Sequence, residues 1–344
     1  MTCFRNTELR NLAFAAALLA GSLAVSLCAA EVALRFFFPS REIGPSFTVY
    51  DPYYGKRNKA NASIPRPGLE FTMRFTTNSL GFRGPEPDEF PIHPILFLGD
   101  SFTMGFGVND GEEFPALVGA ELAQRHSAIP VVNAGLSDNG NGRWVKFLRK
   151  DAARFEPRAI VLQVQDNDFQ DNLNEGFFAL SPSGELIEYP VPGPSWSRQF
   201  QPWTEKVPGL SYSHLLGHLR AASGTLEHLS LDQLWRFVHP PMSTTPQREP
   251  APDPLTLRLI DEVLAICAAR RWPAIVVLAD VREPRRGAVE AIIAGRSVPF
   301  VVIPGKPERP DLYYHFDGHW RAGGHALAAE LVLAKLDELG LTTP

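Results

Sequence analysis

The sequence predicts an α/β domain built on a parallel sheet, preceded by an apolar N-terminal segment and interrupted by one long insertion. Three observations carry that prediction. Short runs of near-continuous apolar residues recur at Pro94–Leu98, Pro130–Asn133, Ala159–Val164, Ala274–Leu278 and Val298–Ile303. Helical patterns alternate with them at Glu113–Arg125, Arg143–Ala153, Pro254–Arg270, Gly287–Ala294 and Gly323–Leu336. After the third run the alternation lapses for roughly ninety residues and then resumes. Strands that are apolar throughout are buried on both faces, and helices between successive strands are what parallel order requires.

Each element has its own reason. The five runs have strand length and no polar alternation, which marks the interior of a sheet. In the last helix, Leu327, Leu331 and Ala334 share one face, as a helix covering a sheet requires. Ahead of the domain, Glu70–Phe75 alternates polar with apolar residues and predicts a strand, and Asn78–Gly84 reads as a turn leading inward. Prolines cluster at 182–208 and 239–254, which predicts long irregular loops. The insertion also holds Trp196, Trp203 and Trp235 with Phe177, Phe178 and Phe200. These rings form either a small core of the insertion itself or a surface suited to sugar rings.

The chain has 344 residues, 44% hydrophobic and 21% charged, with a net charge of −5. That is globular composition, and no basic stripe interleaved with aromatics points to nucleic acid. Asn11–Ala30 contains no charged residue, and twenty helical residues rise about 30 Å, enough to cross a bilayer core. Arg5 and Arg10 precede this run and Arg35 and Arg41 follow it. Two readings stay open. Cys28-Ala29-Ala30 offers small residues for signal cleavage before Glu31, whereas an apolar stretch longer than the usual signal core of about 7–15 residues favours a retained anchor. The organisation expected is an N-terminal segment at 1–36, an extension at 37–93, and the main domain at 94–338 with an insertion at 169–253. Cys3 and Cys28 fall in the leader, so Cys267 stands alone in the rest and reads as a small core residue.

Ligands of such sheets bind at the carboxyl ends of the strands. That rule places Ser101, Asn133–Gly135 and Asn167 along one rim. Ester cleavage needs a nucleophile, a base for its proton, and donors for the oxyanion that forms. Ser101 follows the first strand in Gly99-Asp100-Ser101 and offers a hydroxyl; alone, it reads as a turn residue or helix cap. Gly135 follows the second strand, where a missing side chain lets a backbone N–H approach a reacting carbonyl, or where it is a plain strand-exit glycine. Asn167 follows the third strand in Gln165-Asp166-Asn167-Asp168, and its amide supplies another donor. Asp317 and His319 precede the last helix. In extended backbone, residues two apart project to the same side, so Asp317 would hold Nδ1–H of His319 and turn Nε2 toward Ser101.

Together, Gly99-Asp100-Ser101, Gly135, Asn167-Asp168 and the terminal Asp/His pair resemble the four blocks of SGNH (GDSL-type) hydrolases. The resemblance covers roughly 94–338, broken by 169–253, and implies a flavodoxin-like three-layer α/β/α sandwich of five parallel strands. It also implies Ser101 as nucleophile, Asp317 and His319 as its partners, and an oxyanion hole from Ser101, Gly135 and Asn167. The stretch Thr77–Gly84 is similar to membrane-anchored bacterial members. Two positions depart from the pattern. Gln165 stands where the third block usually has glycine, and the usual Asp-x-x-His is shortened to Asp317-Gly318-His319. The quartet closed by Trp320 is similar to the alginate O-acetyltransferase branch, in which the pair precedes the serine.

The function expected is a serine esterase acting on acyl esters, acetyl above all, of cell-envelope or exported polysaccharide. It would be anchored in the inner membrane with its catalytic part in the periplasm, or secreted if the leader is cleaved. No metal and no organic cofactor are called for, and no nucleic acid is expected as a partner. The alternatives are an O-acetyltransferase using the same residues and a non-catalytic scaffold or binding subunit of the envelope. His214 and His218 have the spacing of a zinc-protease helix but lack its glutamate, and no Gly-x-Ser-x-Gly elbow surrounds Ser101.

Overall fold

The computed structural model describes residues 2–40, 43–207, 209–228 and 251–343. Its centre is a parallel sheet of β1 Ile95–Leu98, β2 Val131–Asn133, β3 Ala159–Gln165, β4 Ala274–Ala279 and β5 Phe300–Ile303. Their lateral order is β5-β4-β3-β1-β2, the doubly wound order of flavodoxin-like sheets. The described helices, in chain order, are α1 Thr2–Phe37, α2 Ser101–Met104, α3 Phe114–Gln124, α4 Asn141–Lys150, α5 Asp168–Glu175, α6 Trp196–Lys206, α7 His214–His228, α8 Pro254–Arg270, α9 Arg285–Gly295 and α10 Ala322–Glu338.

The sheet is buried on both sides because its strands carry apolar residues at nearly every position, on both faces. In β1, Ile95 and Phe97 join a core with Phe114, Val118 and Leu122 of α3 and Val332 and Leu336 of α10. Leu96 and Leu98 join the opposite core with Val145 and Leu148 of α4, Leu259 and Val263 of α8, and Val289 of α9. The two-residue period of a strand assigns alternate side chains to the two layers. Cys267 is buried in the second core, and desolvation pushes its thiol up to about 12.

The extension folds into two antiparallel hairpins, Thr48–Asp51 with Gly55–Asn58 and Ser63–Pro67 with Thr72–Thr76. Phe47, Ile64, Met73 and Phe75 bury their side chains there around Met104 of α2. The extension is thereby fastened to the segment that carries Ser101. Arg83 fastens it further. Its buried guanidinium donates to the carbonyls of Met104 at 2.9 Å, Gly105 at 2.6 Å and Val108 at 2.8 Å.

Between Phe178 and Lys206 the insertion departs from the irregular path its prolines predict. Phe178–Leu180 pairs antiparallel with Leu186–Glu188, and α6 continues through Pro202. Ser195 starts α6 by accepting the Arg198 N–H, so the helix is nucleated before the proline removes one backbone bond. The described aromatic rings of the insertion divide into two groups. Phe177 and Phe178 are buried in the main core beside α4 and α8, while Phe200 and Trp203 are exposed, Trp203 to 73%. Trp235, Arg41 and the second proline cluster as far as residue 250 lie outside the described residues, as does the ring of Trp196.

Within α1, Arg10–Phe37 is long and apolar enough to cross a membrane, which fits an anchor or a signal sequence. Its carboxyl end is tied to the insertion. The Glu31 carboxylate accepts the N–H groups of His214 and Leu215, both at 2.9 Å, and the Ser213 hydroxyl at 2.8 Å. It thus meets donors that the first turn of α7 leaves without internal partners. His214 Nδ1 accepts the Ser40 N–H and His218 Nε2 donates to the Phe38 carbonyl, so this histidine pair holds the chain where it leaves α1.

Candidate active site

β1 delivers its carboxyl end into a tight strand-to-helix turn. Asp100 is fully buried and its Oδ1 accepts the Phe102 N–H at 2.8 Å, capping α2. Ser101 follows as the first residue of α2, with an N–H that a helix leaves unused internally. The turn is braced from the neighbouring strand by Gln163 of β3. Its Oε1 accepts the Thr103 hydroxyl at 3.0 Å and the Asp100 N–H at 3.3 Å. Gln163 escaped the sequence reading, although a lone amide within Ala159–Val164 was its signal.

His319 closes the arrangement from the far end of the chain. Its Nε2 stands 2.8 Å from Ser101 Oγ, and its Nδ1 2.5 Å from Asp317 Oδ1. A carboxylate only accepts, which fixes the proton on Nδ1 and leaves Nε2 to receive the serine hydroxyl. The rings of Phe102 and Phe106 flank the imidazole at centroid distances of 5.0 and 4.8 Å. Asp317 and His319 do not sit in extended backbone. Gly318 between them has φ +88°, and this left-handed turn folds the Asp317 carboxylate back onto both the ring and the N–H of His319. Glycine enters that region without the steric cost other residues meet.

Gly135 and Asn167 occupy the same rim, each with an internal partner. The Gly135 N–H donates to Asn133 Oδ1 at 3.0 Å. A Cβ at Gly135 would lie 2.2 Å from the backbone nitrogen of Met104, so the missing side chain admits the backbone of α2 itself. Asn167 opens α5 and donates from Nδ2 to Asp171 at 3.1 Å, and its amide also hydrogen-bonds the buried Asp100 carboxylate. Behind the serine lie more carboxylates. Burial pushes Asp100 up to about 6. Asp171 is raised to about 7 by burial, with the charges of Asp138 and Asp100 adding to it. Asp168 rises well above the usual range for the same reasons, desolvation first and Asp100 second.

A cleft of about 430 Å³ opens over Ser101 and His319. A second cavity of about 320 Å³, lined by Ile43, Leu69, Phe71 and Phe316 among others, lies beyond Asp317 and Phe106. Glu70 was also missed, because nothing in its local sequence marks it. Its carboxylate accepts the N–H groups of His315 and Phe316 at 2.7 Å and of Asp317 at 2.9 Å. Those three hydrogen bonds hold it below the usual carboxylate range against the opposing effect of burial.

Residues 97–327 match the sequence profile of the GDSL-like lipase/acylhydrolase family. No curated protein matches the chain in sequence. Among solved structures, the psychrotrophic esterase EstA from Pseudoalteromonas sp. is similar at 11% identity and a TM-score of 0.42, over 72% of this chain and 98% of that one. A lipolytic protein of the G-D-S-L family from Desulfitobacterium hafniense has 11% identity and a TM-score of 0.37, over 70% and 98%. A two-domain esterase active on acetylated mannans has 12% identity and a TM-score of 0.41, over 74% and 51%. The family match extends from the end of β1 into α10 and takes in Ser101, Asp317 and His319 on the way; the chain belongs to the GDSL-like lipase/acylhydrolases and is an ester hydrolase.

Proposed function

We propose that the chain cleaves acyl esters through an acyl-enzyme on Ser101. His319 Nε2 takes the hydroxyl proton as Oγ attacks the ester carbonyl, and Asp317 orients the ring and stabilises the imidazolium. The proton passes to the departing alcohol, leaving the acyl group on Oγ. Water, deprotonated by the same nitrogen, then attacks, and collapse of the second intermediate returns the proton to Oγ. The oxyanion is held by the Ser101 N–H, the Asn167 amide, and the Gly135 N–H shared with Asn133 Oδ1. The hydrogen-bonded row Ser101–His319–Asp317 is the observation that carries this reading.

The acyl group is short, acetyl above all, because only Phe47 and Phe106 among the cleft's lining residues are apolar. The alcohol is rich in hydroxyls, a cell-envelope or exported polysaccharide, and Ser46, Thr48, Ser137 and Gln201 in the lining suit it. In this reading α1 anchors the enzyme in the inner membrane and the cleft faces the periplasm. The full chain should release nitrophenol from 4-nitrophenyl acetate in a burst followed by steady turnover. Ser101→Ala and His319→Ala should each lower kcat by about 10⁶-fold; turnover surviving in either contradicts the proposal. The quartet Asp317–Trp320 favours one variation, in which a sugar hydroxyl replaces water. Acetylated oligosaccharide accumulating faster than free acetate would establish it.

A further inference from the structure

Among the described residues, the insertion contributes polar and charged side chains to the catalytic cleft. It sends Arg198 and Gln201 from α6 and Arg220 from α7 into the lining. The extension adds Lys56 and Arg66 from its two hairpins. Four cationic side chains from four separate segments therefore surround the space over Ser101. The carboxylates in the same lining are Asp317, which is bonded to His319, and Asp138, which lies 3.6 Å from Lys56. The formal balance of these groups is +2, in a chain whose net charge is −5.

Three of these cations are built in. Arg220 donates to the Gly44 carbonyl at 3.2 Å and to the Thr204 hydroxyl at 3.0 Å. Arg66 donates to the Pro45 carbonyl at 3.3 Å, and its guanidinium lies over the Phe47 ring at 4.7 Å. Lys56 is buried. Desolvation lowers its ammonium to about 8, the Asp138 and Glu175 charges oppose that shift, and those of Arg143 and Arg198 reinforce it. A buried lysine is ordinarily paired, as Lys56 is with Asp138, and like charges gathered in a cleft cost stability. A cleft lined by one sign of charge concentrates ligands of the other sign, and guanidinium forks match carboxylate and phosphate oxygens in pairs.

Resting on the reading of Ser101 as nucleophile, we propose that the cleft selects acetyl esters of an acidic glycan, whose carboxylate is held by Arg198, Arg220 and Lys56 while the ester lies over Ser101. The hydroxyl and amide groups among these cations, and the small apolar share of the lining, favour a glycan over a phospholipid.

Acetate release by the full chain in detergent tests this, on acetylated oligogalacturonate against acetylated xylo-oligosaccharide. The ratio of kcat/KM, acidic over neutral, should be about tenfold or more at low salt and should fall as salt rises. Arg198→Gln should lower that ratio several-fold, mainly through KM on the acidic substrate, and Arg198→Glu should lower it further. Lys56→Gln is the second test from a different segment, with each variant's melting temperature reporting on folding. A ratio near one at every salt concentration overturns the proposal, as does a ratio that neither variant moves. Faster fatty-acid release from phosphatidylglycerol vesicles than acetate release from either glycan also overturns it. Ser101→Ala serves as the separate control: turnover surviving in that variant defeats the hydrolase reading itself, not the charge preference alone.

Discussion

Glu70 and Asp317 lie 247 positions apart, and the carboxylate of the first accepts the backbone N–H of the second at 2.9 Å. Glu70 belongs to the connection between the strands of an extension hairpin, and Asp317 to the loop that presents His319 to Ser101. With the N–H groups of His315 and Phe316 also accepted, one side chain fixes three consecutive amides of that loop. Arg83 does the equivalent for the loop after Ser101 by binding the carbonyls of Met104, Gly105 and Val108. The extension therefore braces both halves of the catalytic row.

Glu70→Ala should lower kcat by up to about 10²-fold with little change in KM, because a displacement of about 1 Å at the reacting groups has an effect of that size. Glu70→Gln keeps an accepting oxygen and should recover part of the loss. Steady-state kinetics on 4-nitrophenyl acetate measure both. Equal activity in Glu70→Ala and the unmodified chain would show that the loop holds its shape unaided.

Asn167→Ala should lower kcat by about 10²–10³-fold, the typical effect of removing one oxyanion donor, and KM should change little. A loss confined to KM would assign Asn167 to ground-state binding instead.

Gly135→Ala should damage both stability and rate, since its Cβ would meet the Met104 nitrogen at 2.2 Å and backbone cannot swing aside as a side-chain tip can. Overpacking of this kind costs about 1–3 kcal/mol, and the yielding element is the turn that bears Ser101. Urea denaturation together with kcat tests the coupling; an unchanged midpoint would contradict it.

His325 should make stability depend on pH. Its ring is fully buried, its Nδ1 accepts the Phe114 N–H at 3.3 Å, and desolvation, followed by the charges of Arg83 and His319, depresses it to about 3. An ordinary histidine titrates near 6.5. Between about 3 and 6.5 the unfolded chain binds a proton that the folded chain refuses, so this residue's contribution to stability falls as pH drops. The slope should reach about 1.4 kcal/mol per pH unit. His325→Asn retains an acceptor for Phe114 and does not titrate, so the slope should flatten; an identical slope in that variant would refute the assignment.

Sequence patterns revealed the sheet because each strand is apolar at consecutive positions, a local property that needs no knowledge of neighbours. The rim residues were legible for a related reason. Ser101, Gly135 and Asn167 follow strands directly, and a parallel sheet places such positions on one edge. A strand within Glu70–Phe75 was legible and appears as Thr72–Thr76, but what the extension and the insertion do for the site was not, because it rests on long-range bonds. Nothing near Glu70 announces a loop 245 residues away, and nothing near Arg198 announces Lys56. The local geometry of Asp317-Gly318-His319 was also hidden: a two-residue spacing suggests extended backbone, whereas the positive φ of Gly318 produces the contact through a turn. Pro202 misled because a proline cluster ordinarily marks a loop, and here the Ser195 cap establishes the helix before the proline is reached.

The most direct measurement is labelling of the full chain with a fluorophosphonate, read by mass spectrometry of its peptides. One adduct on Ser101, abolished by Ser101→Ala and strongly slowed by His319→Ala or Asp317→Asn, is the expected result. Adduct formation at another residue, or at an undiminished rate once the imidazole is removed, would contradict the claim that Ser101 is a nucleophile activated by His319.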